Sequence, residues 1–127
     1  MSRFTLNPDA LRTNLALARE WAPAGARVRA MVKANAYGHG LEELVGVFAE
    51  HAEELGVATL DEGLDLRSWL DRQFPLFLVS GAKVWNRRDY LEAVREAGLI
   101  PALSSVEELR LLQDRLAGNG PMQVELQ

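Results

Sequence analysis

MVKANAYGHG, residues 31–40, joins an apolar stretch to a turn that carries two glycines. Just before it, residues 28–32 alternate valine or alanine with arginine or methionine, which is the period of a β-strand. The predicted strand ends at Lys33. In α/β folds the carboxyl ends of parallel strands carry ligands and catalytic groups. Lys33 is therefore a candidate for chemistry, since an uncharged amine can form a Schiff base with an aldehyde cofactor. The alternative is a lysine that simply leaves the core and is solvated.

The turn itself, residues 37–40, has a composition that suits an anion. Its glycines allow a sharp change of direction, and a helix that begins near Leu41 would point free N–H groups at a nearby anion. The hydroxyl of Tyr37 could add one donor to a phosphate. The alternative is an ordinary strand-to-helix turn with an exposed tyrosine, because neither common glycine-rich nucleotide motif is present.

Farther along the chain, strand and helix patterns alternate. Asn7-Pro8-Asp9 has the residues of a helix start, with Phe4 to Leu6 extended before it. A loop that contains Ser80-Gly81 is predicted before the helix that starts near Arg88. Strands are predicted to begin near residues 28, 57, 75, 99 and 122, and the helices between them are predicted over 41–52, 60–70, 88–97 and 105–116. This βα repeat predicts a parallel sheet. It leaves open whether the sheet is a doubly wound one or part of a (β/α)8 barrel.

The amino-acid composition excludes several classes of protein. The 127 residues are 48% hydrophobic with a net charge of -4, a profile of one globular domain without the basic surface of a nucleic-acid binder. There is no cysteine, which excludes disulfides and thiolate catalysis. Because neither a signal peptide nor a membrane span is recognisable, we expect a cytoplasmic protein. The length is about half of the ~250 residues of a whole α/β barrel, and the last strand ends the sequence, so we expect the first part of something larger.

Other polar residues are given structural roles. His39 and His51 lack a metal-ligand spacing, so no metal is expected. Glu62 and Arg67 are expected to form a structural ion pair, and the Leu and Trp positions of the helices are expected in the core. Five glutamates are expected on the charged outer face of one helix: Glu42, Glu43, Glu50, Glu53 and Glu54.

The motif VKANAYGHG makes the sequence recognisable. With LNPDALRTNL, GVATLDEGLDLR and PLFLVSG in the same order, it closely resembles the N-terminal part of bacterial alanine racemases, the fold-type III enzymes that use pyridoxal 5'-phosphate (PLP). The resemblance covers essentially the whole chain. It implies an incomplete (β/α)8 barrel domain over residues 1–127, with about five parallel strands and without the family's C-terminal β-domain.

The resemblance also implies site residues. By position, Lys33 corresponds to the lysine that holds PLP and transfers the proton on the D-alanine side. Tyr37 corresponds to the tyrosine that contacts the cofactor phosphate, and Val79 to an apolar position near the cofactor ring. The implied reaction is the interconversion of L-alanine and D-alanine, which supplies D-alanine for peptidoglycan. A homodimer is implied for the full-length family.

The resemblance further implies that essential groups lie outside this chain. The family's second base is a tyrosine from the β-domain of the other subunit, and many members have a lysine where Gln127 falls. We therefore expect the chain alone to be inactive as a racemase. Two alternatives are a non-catalytic PLP-binding protein of fold type III and a piece whose open sheet edge pairs with another copy.

Overall fold

The computed structural model of the chain describes residues 4–80 and 87–127. The predicted alternation of strands and helices is confirmed across these ranges, while the predicted loop residue Gly81 lies outside them. The helices are α1 (Pro8–Trp21), α2 (Lys33–Gly38), α3 (Leu41–His51), α4 (Leu60–Trp69), α5 (Arg88–Glu96) and α6 (Val106–Leu116). The strands are β1 (Arg29–Met31), β2 (Glu54–Val57), β3 (Leu76–Leu78), β4 (Leu99–Leu103) and β5 (Glu125–Leu126).

The five strands form one parallel sheet in the order β1-β2-β3-β4-β5. A doubly wound sheet reverses its strand order at a switch point, so the sequential order favours the barrel. The sheet is also curved, because Arg29 of β1 forms a hydrogen-bonded ion pair with Glu125 of β5. On a flat sheet, four strand spacings would separate these backbones by roughly 19 Å. The architecture is thus the predicted partial (β/α)8 barrel.

The two faces of the sheet differ in chemistry, as the alternation in β1 predicts. The face toward the helices is an apolar core with five fully buried residues in or directly after the strands: Val32, Leu55, Val57, Leu76 and Leu78. The concave face carries Arg29, which stacks 3.9 Å above the ring of Phe77, together with Met31 and Glu54. The concave face is therefore partly polar, while the helix-facing side supplies the hydrophobic stabilisation.

Local capping explains where two of the helices begin. The side chain of Asn7 accepts a hydrogen bond from the Ala10 amide at 3.1 Å, with Pro8 in the first turn, as predicted. Ser105 accepts from the Glu108 amide at 3.1 Å and opens α6. Within residues 4–80 and 87–127, no helix has the length and apolar character needed to cross a membrane.

The second strand begins earlier than predicted. The sequence pattern placed Glu53 and Glu54 on the outer face of the preceding helix, but that helix ends at His51 and Glu54 is the first residue of β2. Glu54 is buried, and its carboxylate pairs with Arg29 and with Arg27 at 2.9 Å. Because these arginines neutralise it, a glutamate can occupy a buried strand position. β5, by contrast, begins at Glu125 and therefore later than the predicted start near residue 122.

The prediction that the helix Leu and Trp positions are all in the core is wrong for four of them. Leu17, Trp21, Leu64 and Trp69 are exposed, at 38%, 78%, 42% and 41%. In α4 the buried positions are Gly63 and Leu66, one helical turn apart. A Cβ at Gly63 would lie 2.7 Å from Leu99 Cδ1, so the glycine lets α4 approach β4 closely.

Candidate functional site

A left-handed helical turn follows β1 directly. Four residues of α2, Ala34 to Tyr37, have φ between 52° and 56°. This conformation costs an alanine or a tyrosine roughly 1–2 kcal/mol, so Ala34, Ala36 and Tyr37 together cost about 3–6 kcal/mol. The predicted turn at residues 37–40 therefore begins earlier, at Lys33. Such a backbone persists only where its surroundings determine it, and strain of this kind clusters at functional sites.

Contacts from three directions hold this turn. The Ala36 amide donates to the Val32 carbonyl at 2.8 Å, and the Ala36 methyl group is buried. Asn35 Oδ1 accepts from the Leu41 amide at 2.7 Å and so caps α3. From α4, Glu62 Oε1 accepts from the Ala34 amide at 2.7 Å. Because Leu41 N–H is already bonded to Asn35, the predicted supply of free amides at the start of α3 is reduced by one.

The turn brings Lys33 and Tyr37 together. Lys33 Nζ lies 6.0 Å from the centroid of the Tyr37 ring, at the limit of a cation–π contact. Lys33 is half-buried, and Tyr37 is 59% exposed. The amine and the phenol therefore form one accessible group at the carboxyl end of β1.

The third predicted residue, Val79, immediately follows β3. The register pairs Met31 with Gly56 and Gly56 with Phe77. Lys33 and Val79 each come two residues after Met31 and Phe77, so they lie level with each other on either side of β2. Two strand spacings put their backbones roughly 10 Å apart. Val79 is partly exposed, so Lys33, Tyr37 and Val79 lie at the same end of the sheet.

Glu62 also lies at this end of the sheet, but its observed partners differ from the one that the sequence predicts. The predicted ion pair with Arg67 is wrong. Arg67 donates to the carbonyls of Ala97 at 2.8 Å and Phe74 at 3.0 Å, because its planar guanidinium suits several acceptors. Glu62 instead accepts backbone amides. The signal in the sequence was Thr59-Leu-Asp-Glu62 after a strand, which is a capping box.

Glu62 is ionised at neutral pH. Burial raises the pKa of its carboxyl, but this is outweighed by hydrogen bonds from the amides of Ala34, Ala58 and Thr59 and from the Thr59 side chain. The net pKa is below the usual value. The turn after Lys33 is thus bonded to a carboxylate rather than to a neutral acid.

The two histidines do not converge on a metal site. His39 Nδ1 lies 2.7 Å from the Ala36 carbonyl and its ring packs edge-on against Phe4. His51 Nε2 is 3.8 Å from a carboxylate oxygen of Glu50. In the part of the chain that the structure describes, no group of three or more His, Asp or Glu side chains could hold a metal ion.

The residues at this end of the sheet fit the chemistry of PLP. The cofactor carries an aldehyde, a phosphate and an aromatic ring. Lys33 offers a primary amine, Tyr37 a hydroxyl donor and Val79 an apolar side chain, all partly accessible. Each part of the cofactor therefore has a chemically matching side chain.

Comparisons with known proteins agree on one family. The profile described as "Alanine racemase, N-terminal domain" matches residues 6–127. The alanine racemase of Ralstonia pickettii is 38% identical over 122 residues, which are 95% of this chain and 31% of that protein. The alanine racemase structure from Streptomyces coelicolor matches 94% of this chain and 31% of its own with a TM-score of 0.75 and 32% identity.

A histidine racemase from Leuconostoc mesenteroides matches nearly as well. Its structure covers 92% of this chain and 30% of its own, with a TM-score of 0.74 and 29% identity. The chain thus spans about a third of the length of the relatives it matches.

Proposed function

Because the chain belongs to the alanine racemase family through its N-terminal domain, we propose that residues 1–127 are the lysine-bearing part of an enzyme that interconverts L-alanine and D-alanine. The observation that carries the proposal is the pairing of Lys33 with Tyr37 at the carboxyl end of β1, on a strained turn. We propose that this end of the sheet binds PLP.

Three residues have roles in this proposal. Lys33 would hold the cofactor through its amine and, once free, would take and return a proton on one face of the substrate. Tyr37 would donate its hydroxyl to the phosphate, and Val79 would pack near the ring. PLP supplies an electron sink that makes the Cα–H bond of a bound amino acid acidic. Racemisation also needs a base on the opposite face.

We propose that the chain alone does not racemise alanine, because that second base is expected from a domain outside residues 1–127. The test is to incubate the chain with PLP and D-alanine and to follow L-alanine. We expect no turnover above that of free PLP. Turnover that depends on Lys33 and saturates with substrate would contradict this.

The cofactor role of Lys33 can be tested without turnover. The sequence has two lysines, Lys33 and Lys83, and Lys83 lies outside the described residues. After incubation with PLP, borohydride reduction leaves a stable pyridoxyl group on any lysine that has condensed with the aldehyde. We expect this group on Lys33 in the wild type and in Lys83→Ala, and its loss together with the visible absorbance in Lys33→Ala. Equal labelling of both lysines would refute the role.

The proposal also names the amino acid that is racemised. The histidine racemase and the alanine racemase align with this chain at nearly equal TM-scores, 0.74 and 0.75, so the backbone match does not distinguish between their substrates. We propose alanine because the relatives from Paraburkholderia phytofirmans and Ralstonia pickettii, which match most of this chain in sequence, are alanine racemases. Fused in turn to the remainder of an alanine racemase and to the remainder of a histidine racemase, the domain should restore turnover with the alanine racemase partner. Turnover restored only with the histidine racemase partner would contradict the choice of alanine.

The proposal also covers the location, the oligomeric state and the product of the complete enzyme. We propose that the complete enzyme is a cytoplasmic homodimer that supplies D-alanine for peptidoglycan. The alternative, a non-catalytic PLP-binding protein, predicts the same labelling of Lys33 but no racemase activity when the barrel is completed. Adding the C-terminal part of a related racemase in trans or by fusion distinguishes the two, because only a racemase domain would restore turnover.

A further inference from the structure

The carboxylate of Glu62 links the ends of two neighbouring strands. Its Oε1 accepts from the Ala34 amide, the residue directly after Lys33. Its Oε2 accepts from the amides of Ala58 and Thr59, which follow β2, at 2.8 and 3.1 Å. One side chain from α4 is therefore shared between the lysine turn and the end of the adjacent strand.

The Ala34 amide opens a backbone segment that its own sequence does not favour. Alanine and tyrosine rarely adopt left-handed φ, and only Asn35 among the four inner residues tolerates it well. Contacts with other elements must therefore fix the turn. Among the contacts described above, the bond to Glu62 is the one made by the residue adjacent to Lys33.

A simple capping role would not require this bond. The chain contains a matched case at the start of α6, where Ser105 accepts from the Glu108 amide and Glu108 Oε2 accepts from the Ser104 amide. Glu62 makes the equivalent bonds with Thr59 and Ala58 at the start of α4. Its bond to the Ala34 amide is additional to these capping bonds, and Ala34 is the residue next to Lys33.

We propose that Glu62 is a positioning residue for Lys33: by accepting the Ala34 amide it holds the left-handed turn and so fixes the direction in which the lysine amine leaves β1. This inference rests on the proposed function, in which that amine condenses with the PLP aldehyde. It assigns Glu62 no contact with substrate or cofactor.

The test measures how strongly PLP prefers Lys33 over Lys83 in the full chain. PLP and then borohydride are added, so that each reactive amine condenses with the aldehyde, water is released, and hydride from borohydride reduces the C=N bond to a stable amine. Peptide mass spectrometry gives the ratio of labelled Lys33 to labelled Lys83. Labelling in concentrated urea gives the ratio for the unfolded chain, which all variants should share, and circular dichroism measures the folded fraction of each variant.

We expect Glu62→Ala to lower the Lys33:Lys83 ratio about tenfold, the effect of losing one hydrogen bond to a charged group. Glu62→Gln should lower it less, because its amide oxygen can still accept from Ala34 while its NH2 cannot accept from Ala58. The capping control, Glu108→Ala, should leave the ratio within about twofold of the wild type, since the hydrogen bonds described for Glu108 lie at the start of α6 and not at the lysine turn.

The outcomes separate the two proposals. A folded Glu62→Ala variant with the wild-type ratio would overturn the positioning role and leave the role of Lys33 intact. If Glu62→Ala does not fold, Glu62→Gln decides in the same way: an intermediate ratio supports the proposal, and a wild-type ratio overturns it. A wild-type chain without preference for Lys33 would overturn the cofactor role and, with it, the positioning role.

Discussion

Replacing Glu125 with glutamine tests the contact that curves the sheet. Glu125 of β5 receives two hydrogen bonds from the guanidinium of Arg29 in β1, whose positions are 96 residues apart in sequence. A hydrogen bond to a charged group contributes about 1.5–3 kcal/mol. The side chains are 27% and 34% exposed, so solvent weakens the pair, and Arg29 keeps Glu54 after the change. We expect Glu125→Gln to lower the free energy of unfolding by about 1–2 kcal/mol at neutral pH.

The effect should depend on pH in one direction. Hydrogen bonding to Arg29 lowers the pKa of Glu125 below its ordinary 4.5, against a smaller effect of burial. A carboxyl with a lowered pKa stabilises the folded state above its unfolded pKa and loses that contribution as the pH falls through the folded value. The difference between wild type and Glu125→Gln should therefore stay constant from neutral pH to about pH 5 and shrink below it.

Urea unfolding followed by circular dichroism between pH 3 and pH 7 is the assay for Glu125→Gln. Glu92→Gln is the matched control, because Glu92 pairs with Arg88 at 2.9 Å on an exposed surface, at 43% and 70% exposure. That substitution should cost at most about 0.5 kcal/mol. Equal stability of Glu125→Gln and wild type at pH 7, or a difference that persists unchanged in acid, would refute the reasoning.

Local patterns in the sequence predict most of the fold. Continuous apolar runs and helical spacing are properties of a few neighbouring residues, so the order of strands and helices follows from them. Helix starts at Asn7 and Ser105 depend on side chains within three residues of the cap. The curvature that distinguishes a partial barrel from a flat sheet is seen in contacts such as Arg29 with Glu125, which no local pattern contains.

The predictions that the structure contradicts also failed because of contacts between residues far apart in the sequence. Glu54 follows a glutamate-rich helix and looks like its continuation, but its partner Arg29 lies on another strand. The left-handed turn after Lys33 contradicts the intrinsic preference of its residues and is held by Glu62, 28 positions away. The composition of the turn points to Tyr37, but only the family resemblance points to Val79, because the register that brings the ends of β1 and β3 level is a tertiary property.

Three further substitutions test packing, bonding and backbone strain by urea unfolding. Leu66→Ala should cost about 2–5 kcal/mol because Leu66 is fully buried, whereas Leu64→Ala, on the exposed side of the same helix, should change stability by about 0.5 kcal/mol or less. Arg67→Lys should cost about 2 kcal/mol, because one ammonium cannot replace a guanidinium that donates to several carbonyls. Ala34→Gly should stabilise the chain by about 0.5–1 kcal/mol, since glycine adopts φ 52° without the penalty of roughly 1–2 kcal/mol that alanine carries, offset in part by its greater unfolded-state entropy. In right-handed α1 the same change, Ala16→Gly, should destabilise by about 1 kcal/mol. If both glycine variants are destabilised equally, the left-handed turn is not strained in the way proposed.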